Sequence, residues 1–276
     1  LQNVDEAQLE SYESIKAFLP LMDNYDPDVL HAEDRSQEEI SEEDNFIQVI
    51  METRIMRETS DFLTSKNVVQ NSEAFEVKLK ELWFELYDRD GTSATVLDSS
   101  GFEHVFVGES KNNEVSGTVF ENHRKSFTST LRAKRATFTF LSGQKFIKNA
   151  KIKKFKCDIL GDFQTLCTGF HGWINFYLQE NAGNLNYFGY ISTMDFGHNI
   201  FGLTNIFEWN GQLKPIGGGF IGTPPELDLA LFTICSLTRS EKDCHMAFEG
   251  QAFYIKAFAD LNNGHQNIGS AYPVFD

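Results

Sequence analysis

The sequence predicts an α+β fold in which an N-terminal helical region is followed by antiparallel sheets that carry the functional site. Over residues 1–90, apolar side chains recur three and four positions apart with charged residues between them, as in amphipathic helices. Over residues 91–276 the chain changes to short β-prone runs broken by Gly and Asn. Because helices come first and few helices separate the later strands, an antiparallel arrangement is favoured over a parallel sheet.

Three helices are predicted in the region 1–90. The acidic run Ser41–Asp44 places negative charge in a first helical turn, where the helix dipole favours it. A turn signal, Asp88-Arg89-Asp90-Gly91, ends the last of these helices. The predicted spans are Glu6–Leu19, Ser36–Phe62 and Glu73–Tyr87.

The region 91–276 contains several predicted strands and one well-marked helix. Thr223 is predicted to cap the helix Leu227–Leu237, with prolines in the first turn and Glu226 completing a capping box. The predicted strands are His104–Val107, Trp173–Leu178, Leu185–Ser192 and Ala252–Phe258.

Charge is distributed unevenly along this chain of 276 residues, whose net charge is −16. Residues 1–60 hold 16 acidic and 4 basic side chains, whereas residues 111–168 hold 12 basic and 4 acidic ones. A polyanion such as RNA is repelled by an acidic body. RNA would therefore be bound only locally, or with divalent cations between the two.

Cysteine content and hydropathy restrict the class of protein only partly. The four cysteines lack the C-x-x-C spacing of a zinc site, and either one or two disulfides or unpaired buried thiols remain open. The longest apolar run, Leu229–Leu237, is half of the roughly 18 residues that a membrane helix needs, so we expect no membrane partner. Without an initiator Met or a signal peptide, the sequence is interpreted as a mature chain or a fragment.

Two histidines lie in similar surroundings, after a Gly-Phe dipeptide and ahead of β-forming residues. His104 lies in Gly-Phe-Glu-His-Val-Phe-Val-Gly-Glu, and His171 in Gly-Phe-His-Gly-Trp-Ile-Asn-Phe-Tyr-Leu-Gln-Glu. We expect this entry to a strand to hold both imidazoles on rigid backbone. Histidine is suited to proton transfer because its ordinary pKa is near neutrality.

Five ordered segments resemble motifs of the EndoU (XendoU-like, poly(U)-specific) endoribonuclease family. The two histidine strings resemble its two histidine motifs, and the helix Glu81–Tyr87 resembles the segment upstream of them. Leu213–Glu226 resembles its lysine motif, and Ile268–Pro273 resembles its C-terminal segment. The resemblance covers nearly the whole chain.

The resemblance implies an endoribonuclease that cleaves single-stranded RNA at uridylates and leaves a 2′,3′-cyclic phosphate. By position in the motifs, His171 would be the general base, His104 the general acid and Lys214 the group that stabilises phosphorane charge. Ser270 and Tyr272 match the segment that contacts uracil, by hydrogen bond and by ring stacking.

The resemblance also implies a divalent cation, Mn²⁺ or alternatively Ca²⁺, as cofactor. Glu103 and Glu109 match carboxylates of the first motif, which would bind the metal or orient the imidazole of His104. We expect a monomer that binds uridine-containing RNA without a nucleotide cofactor, and the family favours a secreted protein over a cytoplasmic one.

Two weaker motifs are rejected on context. Gly217-x-Gly219-x-x-Gly222 fits a dinucleotide fingerprint, but the chain lacks the strand-helix alternation of a nucleotide-binding fold. Asp88-x-Asp90-Gly91 lacks the third carboxylate and the closing Glu of a calcium loop.

The stretch 117–168 departs from the family, in which a short link joins the two histidine motifs. It is rich in Lys and Arg and has little amphipathic order. Three interpretations remain open: a basic RNA-binding insertion, a disordered loop, or a translated intron. Because long loops add little closure entropy, we expect the two histidines still to converge beside Lys214.

Two other functions stay open at this point. A catalytically inactive RNA-binding module would keep the fold without the reaction. A calcium-responsive regulatory protein would use the acidic N-terminal half as its sensor. The presence of both histidines and the lysine favours the enzyme.

Overall fold

The computed structural model describes residues 4, 9, 11–29, 31–89, 97–111, 166–262 and 265–275. The order of elements agrees with the predicted α+β fold, with helices first and antiparallel-rich sheets after them. The α-helices are α1 Glu13–Phe18, α2 Gln37–Met51, α3 Arg54–Ser65, α4 Ser72–Phe84, α5 Trp173–Asn181 and α6 Pro225–Arg239, with a 3₁₀ helix at Leu19–Met22 and a π-helix at Glu103–Val107. The strands are β1 Ser110–Lys111, β2 Leu166–Cys167, β3 Leu185–Asp195, β4 Phe201–Trp209, β5 Gln212–Ile221, β6 Cys244–Phe248, β7 Gln251–Asn262 and β8 His265–Val274.

The predicted helix Ser36–Phe62 is wrong in one respect, because it is two helices. Ser36 and Glu39 form a capping box at the start of α2, so its first acidic turn holds Glu38 and Glu39 rather than the run from Ser41. Thr53 adopts an extended conformation and its side chain accepts a hydrogen bond from the amide of Met56, which starts α3. A cap residue in the middle of the periodic run therefore divides it.

The other two N-terminal helices are shorter than predicted. Of the span Glu6–Leu19, residues 6–8 and 10 lie outside the described residues. Helix α1 covers Glu13–Phe18, and Pro20 lies in the first turn of the 3₁₀ helix that follows. Helix α4 is capped by Asn71, whose side chain accepts from the amide of Ala74. It ends at Phe84 rather than Tyr87 because Glu85 is extended.

Aromatic side chains from both the helical region and the later segments pack together in the core. Phe18 contacts Phe46, Phe102 and Phe106 with ring-centroid distances between 5.5 and 5.7 Å. Trp83 donates an indole hydrogen bond of 2.9 Å to the hydroxyl of Thr233 on α6. The same hydrophobic cluster extends to Ala271 and Phe275, so residues on both sides of the predicted boundary at residue 90 share it.

The strands form two sheets. The five-stranded sheet has the order β1-β2-β5-β4-β3 and is antiparallel except where β2 lies parallel to β5. The three-stranded sheet β6-β7-β8 is antiparallel throughout. No helix among the described residues is long and apolar enough to cross a membrane.

Two predicted strands, both next to a candidate histidine, are helical. His104–Val107 belongs to the π-helix, whose wider turn is closed by a 2.8 Å bond from the amide of Gly108 to the carbonyl of Glu103. Trp173–Leu178 lies within α5, which buries Trp173, Ile174 and Phe176. A short apolar run does not distinguish a buried strand from a buried helix, and packing decided for the helix.

Helix α6 begins without the predicted cap. Pro224 is the residue that precedes it, and no side chain caps its first turn, so the predicted Thr223–Glu226 capping box is wrong. Its last turns are linked to β6 by a disulfide between Cys235 and Cys244. Cys167 is a buried free thiol, and Cys157 lies outside the described residues.

Candidate active site

The π-helix buries His104 and directs its ring to a carboxylate. His104 is 6% exposed, and its Nδ1 lies 2.6 Å from Oε2 of Glu109. Because the carboxylate can only accept, Nδ1 carries the proton and Nε2 is left for a substrate. Glu109 thus takes the predicted role of orienting this imidazole.

Glu109 is itself held by two further side chains that the sequence did not indicate. It is fully buried, and Arg89 Nε lies 3.1 Å from Oε1 and 2.9 Å from Oε2. The hydroxyl of Ser99 donates to Oε1. Burial alone would raise the pKa of Glu109, but Arg89, His104 and Ser99 together lower it by more. The carboxylate beside His104 is therefore charged.

Arg89 also connects this carboxylate to the segment that was predicted to contact uracil. Its Nη1 donates a 2.7 Å hydrogen bond to the carbonyl of Gly269, and its Nη2 donates to the hydroxyl of Tyr87. The only sequence signal near Arg89 was a turn, which did not indicate its long-range contacts.

His171 lies at the entry to α5, where its main chain packs directly on the π-helix. The preceding residue, Phe170, has a φ of 81°. The amide of Phe170 donates to the carbonyl of His104 at 2.8 Å, and the amide of His171 donates to that of Val105 at 2.7 Å. A Cβ at Gly169 would overlap the carbonyl of His104, so this close approach requires glycine there.

The ring of His171 is oriented by a backbone group of β5. Its Nδ1 donates a 2.8 Å hydrogen bond to the carbonyl of Gly218, which leaves Nε2 unprotonated when the ring is neutral. The ring centroids of His104 and His171 are 6.2 Å apart. The expected convergence of the two imidazoles is therefore present, although the predicted strand at each histidine motif is a helix.

The ends of the long link between the two motifs lie side by side. Ser110 is paired with Cys167 and Lys111 with Leu166. The chain therefore leaves the sheet after β1 and returns to it at β2, directly beside the point where it left. Residues 112–165 lie outside the described residues. The predicted insertion 117–168 extends too far at its C-terminal end, since Leu166–Cys167 joins the five-stranded sheet beside β5.

Lys214 on β5 is the third group of the site. Its side chain is 6% exposed, and Nζ donates a 2.7 Å hydrogen bond to the carbonyl of Thr168. Thr168 in turn follows β2 and precedes the Gly169-Phe170-His171 segment. The second histidine motif thus positions the lysine as well as the histidine.

Burial makes all three groups easier to deprotonate. Burial, then the charge of Arg89, lowers the pKa of His104 to about 4, although Glu109 opposes the shift. Burial, then Lys214, lowers the pKa of His171 well below its ordinary value. Burial also lowers the pKa of Lys214. Both imidazoles are therefore neutral at pH 7 before an anionic substrate arrives.

Tyr272 and Ser270 lie on β8, and Tyr272 is in contact with His171. The ring of Tyr272 stacks on that of His171, with centroids 4.9 Å apart and an interplanar angle of 16°. Ser270 is half-buried on the same strand. Tyr272, one of the two residues predicted to contact uracil, is thus placed beside the predicted base.

Glu103 does not orient the imidazole. It is fully buried, and neither of its carboxylate oxygens has a hydrogen-bond partner among the described residues. Burial, followed by the charges of Glu109 and Glu33, raises its pKa well above the ordinary value. Among the described residues, no group of three or more His, Cys, Asp or Glu side chains is arranged to hold a metal ion.

The sequence of this chain is similar to those of known proteins. A family model described as "Endoribonuclease XendoU" matches residues 1–120 and 133–273. The chain belongs to the XendoU endoribonuclease family. The match breaks only at residues 121–132, so the family model also covers 117–120 and 133–168, which is most of the stretch predicted to depart from the family.

Relatives of the XendoU family match over nearly all of the chain. Poly(U)-specific endoribonuclease-A of Xenopus laevis is 33% identical over 99% of this chain and 76% of its own length. Uridylate-specific endoribonuclease of Homo sapiens is 30% identical over 97% of this chain and 53% of its own length. A solved structure titled "The structure of XendoU: a splicing independent snoRNA processing endoribonuclease" matches with a TM-score of 0.64 and 32% identity, covering 99% of this chain and 82% of that one.

The XendoU assignment agrees with the rejection of the dinucleotide fingerprint. Gly217 and Gly219 lie within β5, where they pack against other strands, rather than in a loop between a strand and a helix. Asp90 and Gly91 of the rejected calcium motif lie outside the described residues.

Proposed function

We propose that this protein cleaves single-stranded RNA on the 3′ side of uridylates by transesterification. The observation that carries the proposal is the convergence of two oriented imidazoles, His104 and His171, beside Lys214. Each imidazole has its Nδ1 engaged by an acceptor, which leaves its Nε2 for proton transfer. The names of the relatives, which specify poly(U) or uridylate, support the choice of base.

His171 is the proposed general base. Its Nδ1–H is held by the carbonyl of Gly218, and its depressed pKa keeps Nε2 unprotonated at neutral pH. In the reaction, Nε2 would accept the proton of the ribose 2′-hydroxyl while the 2′-oxygen attacks the adjacent phosphorus.

His104 is the proposed general acid. As the bond from phosphorus to the 5′-oxygen breaks, Nε2 of the protonated ring would donate its proton to that oxygen. The charged carboxylate of Glu109 at 2.6 Å stabilises the imidazolium, and the anionic phosphate of the substrate would do the same. The products are a 2′,3′-cyclic phosphate and a free 5′-hydroxyl.

Lys214 would stabilise the charge that develops on the phosphorane oxygens. It is buried, so its electrostatic effect is screened less than that of a surface lysine. Its contact with the carbonyl of Thr168 holds the ammonium in place without neutralising it.

Ser270 and Tyr272 are the proposed uracil-binding residues. Tyr272 is half-buried and its ring stacks on His171. A uracil held against Tyr272 would therefore lie next to the proposed general base. The hydroxyl of Ser270 would hydrogen-bond the edge of the uracil.

We also propose that Glu103, rather than Glu109, binds the divalent cation. Glu109 does not fit a metal because its two oxygens already accept hydrogen bonds from His104, Arg89 and Ser99. Glu103 has two buried oxygens that find no hydrogen-bond partner in the part of the chain that the structure describes, and Glu33 is close enough to affect its pKa. A cation there, Mn²⁺ or Ca²⁺, would neutralise Glu103 and steady the π-helix that carries His104, without taking part in proton transfer.

The test of the metal proposal is direct binding. Electron paramagnetic resonance titration with Mn²⁺ should show a site that Glu103→Gln weakens and that Ca²⁺ competes for. The exposed Glu58→Gln is the matched control. Equal binding of Mn²⁺ by both variants would contradict the assignment.

A cleavage assay tests the function itself. A fluorescent oligonucleotide with one uridine among adenosines should be cut at the uridine, and one with cytidine at that position should be cut far less. Specific binding of the uridine oligonucleotide without cleavage, with and without Mn²⁺, would instead indicate an inactive RNA-binding module.

A further inference from the structure

We propose that the outward face of the sheet β6-β7-β8 is a second RNA subsite, which binds the nucleotides that flank the scissile uridylate. We name this face the flanking platform and define it by His245, Tyr254, Lys256 and Phe258, adjoining Tyr272. The inference rests on the proposed function, because it extends the same bound strand beyond the uracil.

Strand register places these side chains on one face. On the β7–β8 pair, Lys256 is opposite Tyr272 and Phe258 is opposite Ser270. On the β6–β7 pair, His245 is opposite Tyr254. Because side chains alternate along a strand, these residues share a face and the intervening residues share the other. The intervening residues of β7, namely Phe253, Ile255 and Ala257, are buried in the core.

The platform is continuous with the candidate active site. Tyr272 stacks on His171 on one side, and its ring centroid lies 6.2 Å from that of Phe258. Two ring contacts therefore lead from the proposed catalytic base to a phenylalanine that is 38% exposed. The ring pair of His245 and Tyr254, at 5.8 Å, lies further along the same face.

The chemistry of the face fits single-stranded RNA. Exposed aromatic rings on an antiparallel sheet bind unpaired bases by stacking, independently of their sequence. Lys256 supplies a cation between the rings, with its Nζ 5.9 Å from the centroid of Tyr254 and its side chain 39% exposed. Asp243 is 3.7 Å from this Nζ, so a phosphate would replace or share an existing weak ion pair.

Binding of an uncleavable strand separates this subsite from catalysis. We would use oligonucleotides of two and ten nucleotides with 2′-deoxyuridine at the scissile position and measure Kd by fluorescence anisotropy. Phe258→Ala should raise the Kd of the ten-nucleotide strand by on the order of ten-fold, and that of the two-nucleotide strand by much less. Phe258→Leu tests the same loss of stacking with the apolar bulk retained, in case the alanine variant does not fold.

Phe62→Ala is the matched control. Phe62 is 42% exposed on α3 and also has a lysine over its ring, with Lys66 Nζ 5.7 Å from the centroid. We expect wild-type affinity from this variant for both strands. Wild-type affinity of the Phe258 variants for the long strand, or an equal loss in Phe62→Ala, would overturn the proposal.

Lys256→Gln tests the phosphate contact through its salt dependence. The slope of log K against log salt for the long strand should become shallower by about 0.7, as for the loss of one phosphate contact on a single strand. An unchanged slope would show that Lys256 does not contact a phosphate and is not part of the platform. Failure of the proposed function would look different, since wild-type enzyme would then not cleave the matching ribouridine strand, whatever the Kd values of these variants.

Discussion

The imidazoles of His104 and His171 lie with their ring centroids 6.2 Å apart although 67 positions separate them in the sequence. Two backbone hydrogen bonds, from Phe170 to His104 and from His171 to Val105, join the two motifs directly. The separation of the histidines is therefore set by main-chain packing and does not depend on the length of the link between them.

Removing either imidazole should abolish cleavage. His104→Ala and His171→Ala each delete one of the two proton-transfer groups, so we expect kcat to fall by on the order of 100-fold or more. Single-turnover cleavage of a uridine oligonucleotide measures the effect, and circular dichroism shows whether the variant is folded. Substantial activity in either folded variant would contradict the two-histidine mechanism, whereas exposed His198→Asn should retain full activity.

Arg89 and Glu109 should act on the pH profile in opposite directions. Glu109 raises the pKa of His104 and Arg89 lowers it, so Glu109→Gln should move the ionisation of the acid to lower pH and Arg89→Gln should move it to higher pH. Both variants should also lose at least about ten-fold in kcat, because the ring of His104 loses its orientation.

The measurement is kcat/KM against pH, with Arg54→Gln, from an exposed ion pair, as the control. Because Arg89 and Glu109 contact each other, their losses in kcat should not be additive in the double variant. A loss of activity with an unshifted pH profile would mean that Arg89 only supports the fold.

Acid should destabilise the protein through its buried histidines. The pKa of His104 is about 4 in the folded protein and about 6.5 in the unfolded chain, so the unfolded state binds more protons between those values. The free energy of unfolding should thus fall as the pH is lowered from about 7 to 4, by about 3 kcal/mol for this residue. Urea titrations should show a flatter pH dependence in His104→Gln than in the wild-type protein.

The link between the two histidine motifs should be dispensable for activity only if the deletion stops before β2. Deletion of residues 117–163 leaves the β1–β2 pairing and the carbonyl of Thr168, which holds Lys214, so activity on short oligonucleotides should be retained. Deletion of residues 117–168 removes both and should abolish it. The cleavage rates of the two deletion variants on the same substrate test this prediction. Equal rates would show that Thr168 does not position Lys214.

The motifs predicted the site better than local patterns predicted its secondary structure. The order of the segments around His104, His171 and Lys214 was enough to expect their convergence. Val105, Phe106 and Val107 favour strands by propensity, yet they are buried in the aromatic core as part of a π-helix. Packing against neighbours such as Phe18 outweighs that preference. The local sequence does not indicate this packing.

Long-range polar contacts were the part that sequence patterns could not supply. Arg89 lies in a turn signal, but its partners Glu109 and Gly269 are 20 and 180 positions away. Likewise, the two oxygens of Glu103 are without partners because of burial, which depends on the complete fold. Glu103 and Glu109 were both predicted to orient His104 or to bind the metal, and it is Glu109 that contacts the imidazole.

The chemistry of the cut end tests the central claim most directly. Wild-type protein is incubated with an oligonucleotide that contains one uridine, and the fragments are weighed by mass spectrometry. We expect a 2′,3′-cyclic phosphate on the upstream fragment, a 5′-hydroxyl on the downstream fragment, and no cut when that uridine is 2′-deoxyuridine. A 5′-phosphate on the downstream fragment, or cleavage of the deoxy substrate, would require water as the nucleophile and would contradict transesterification by His171 and His104.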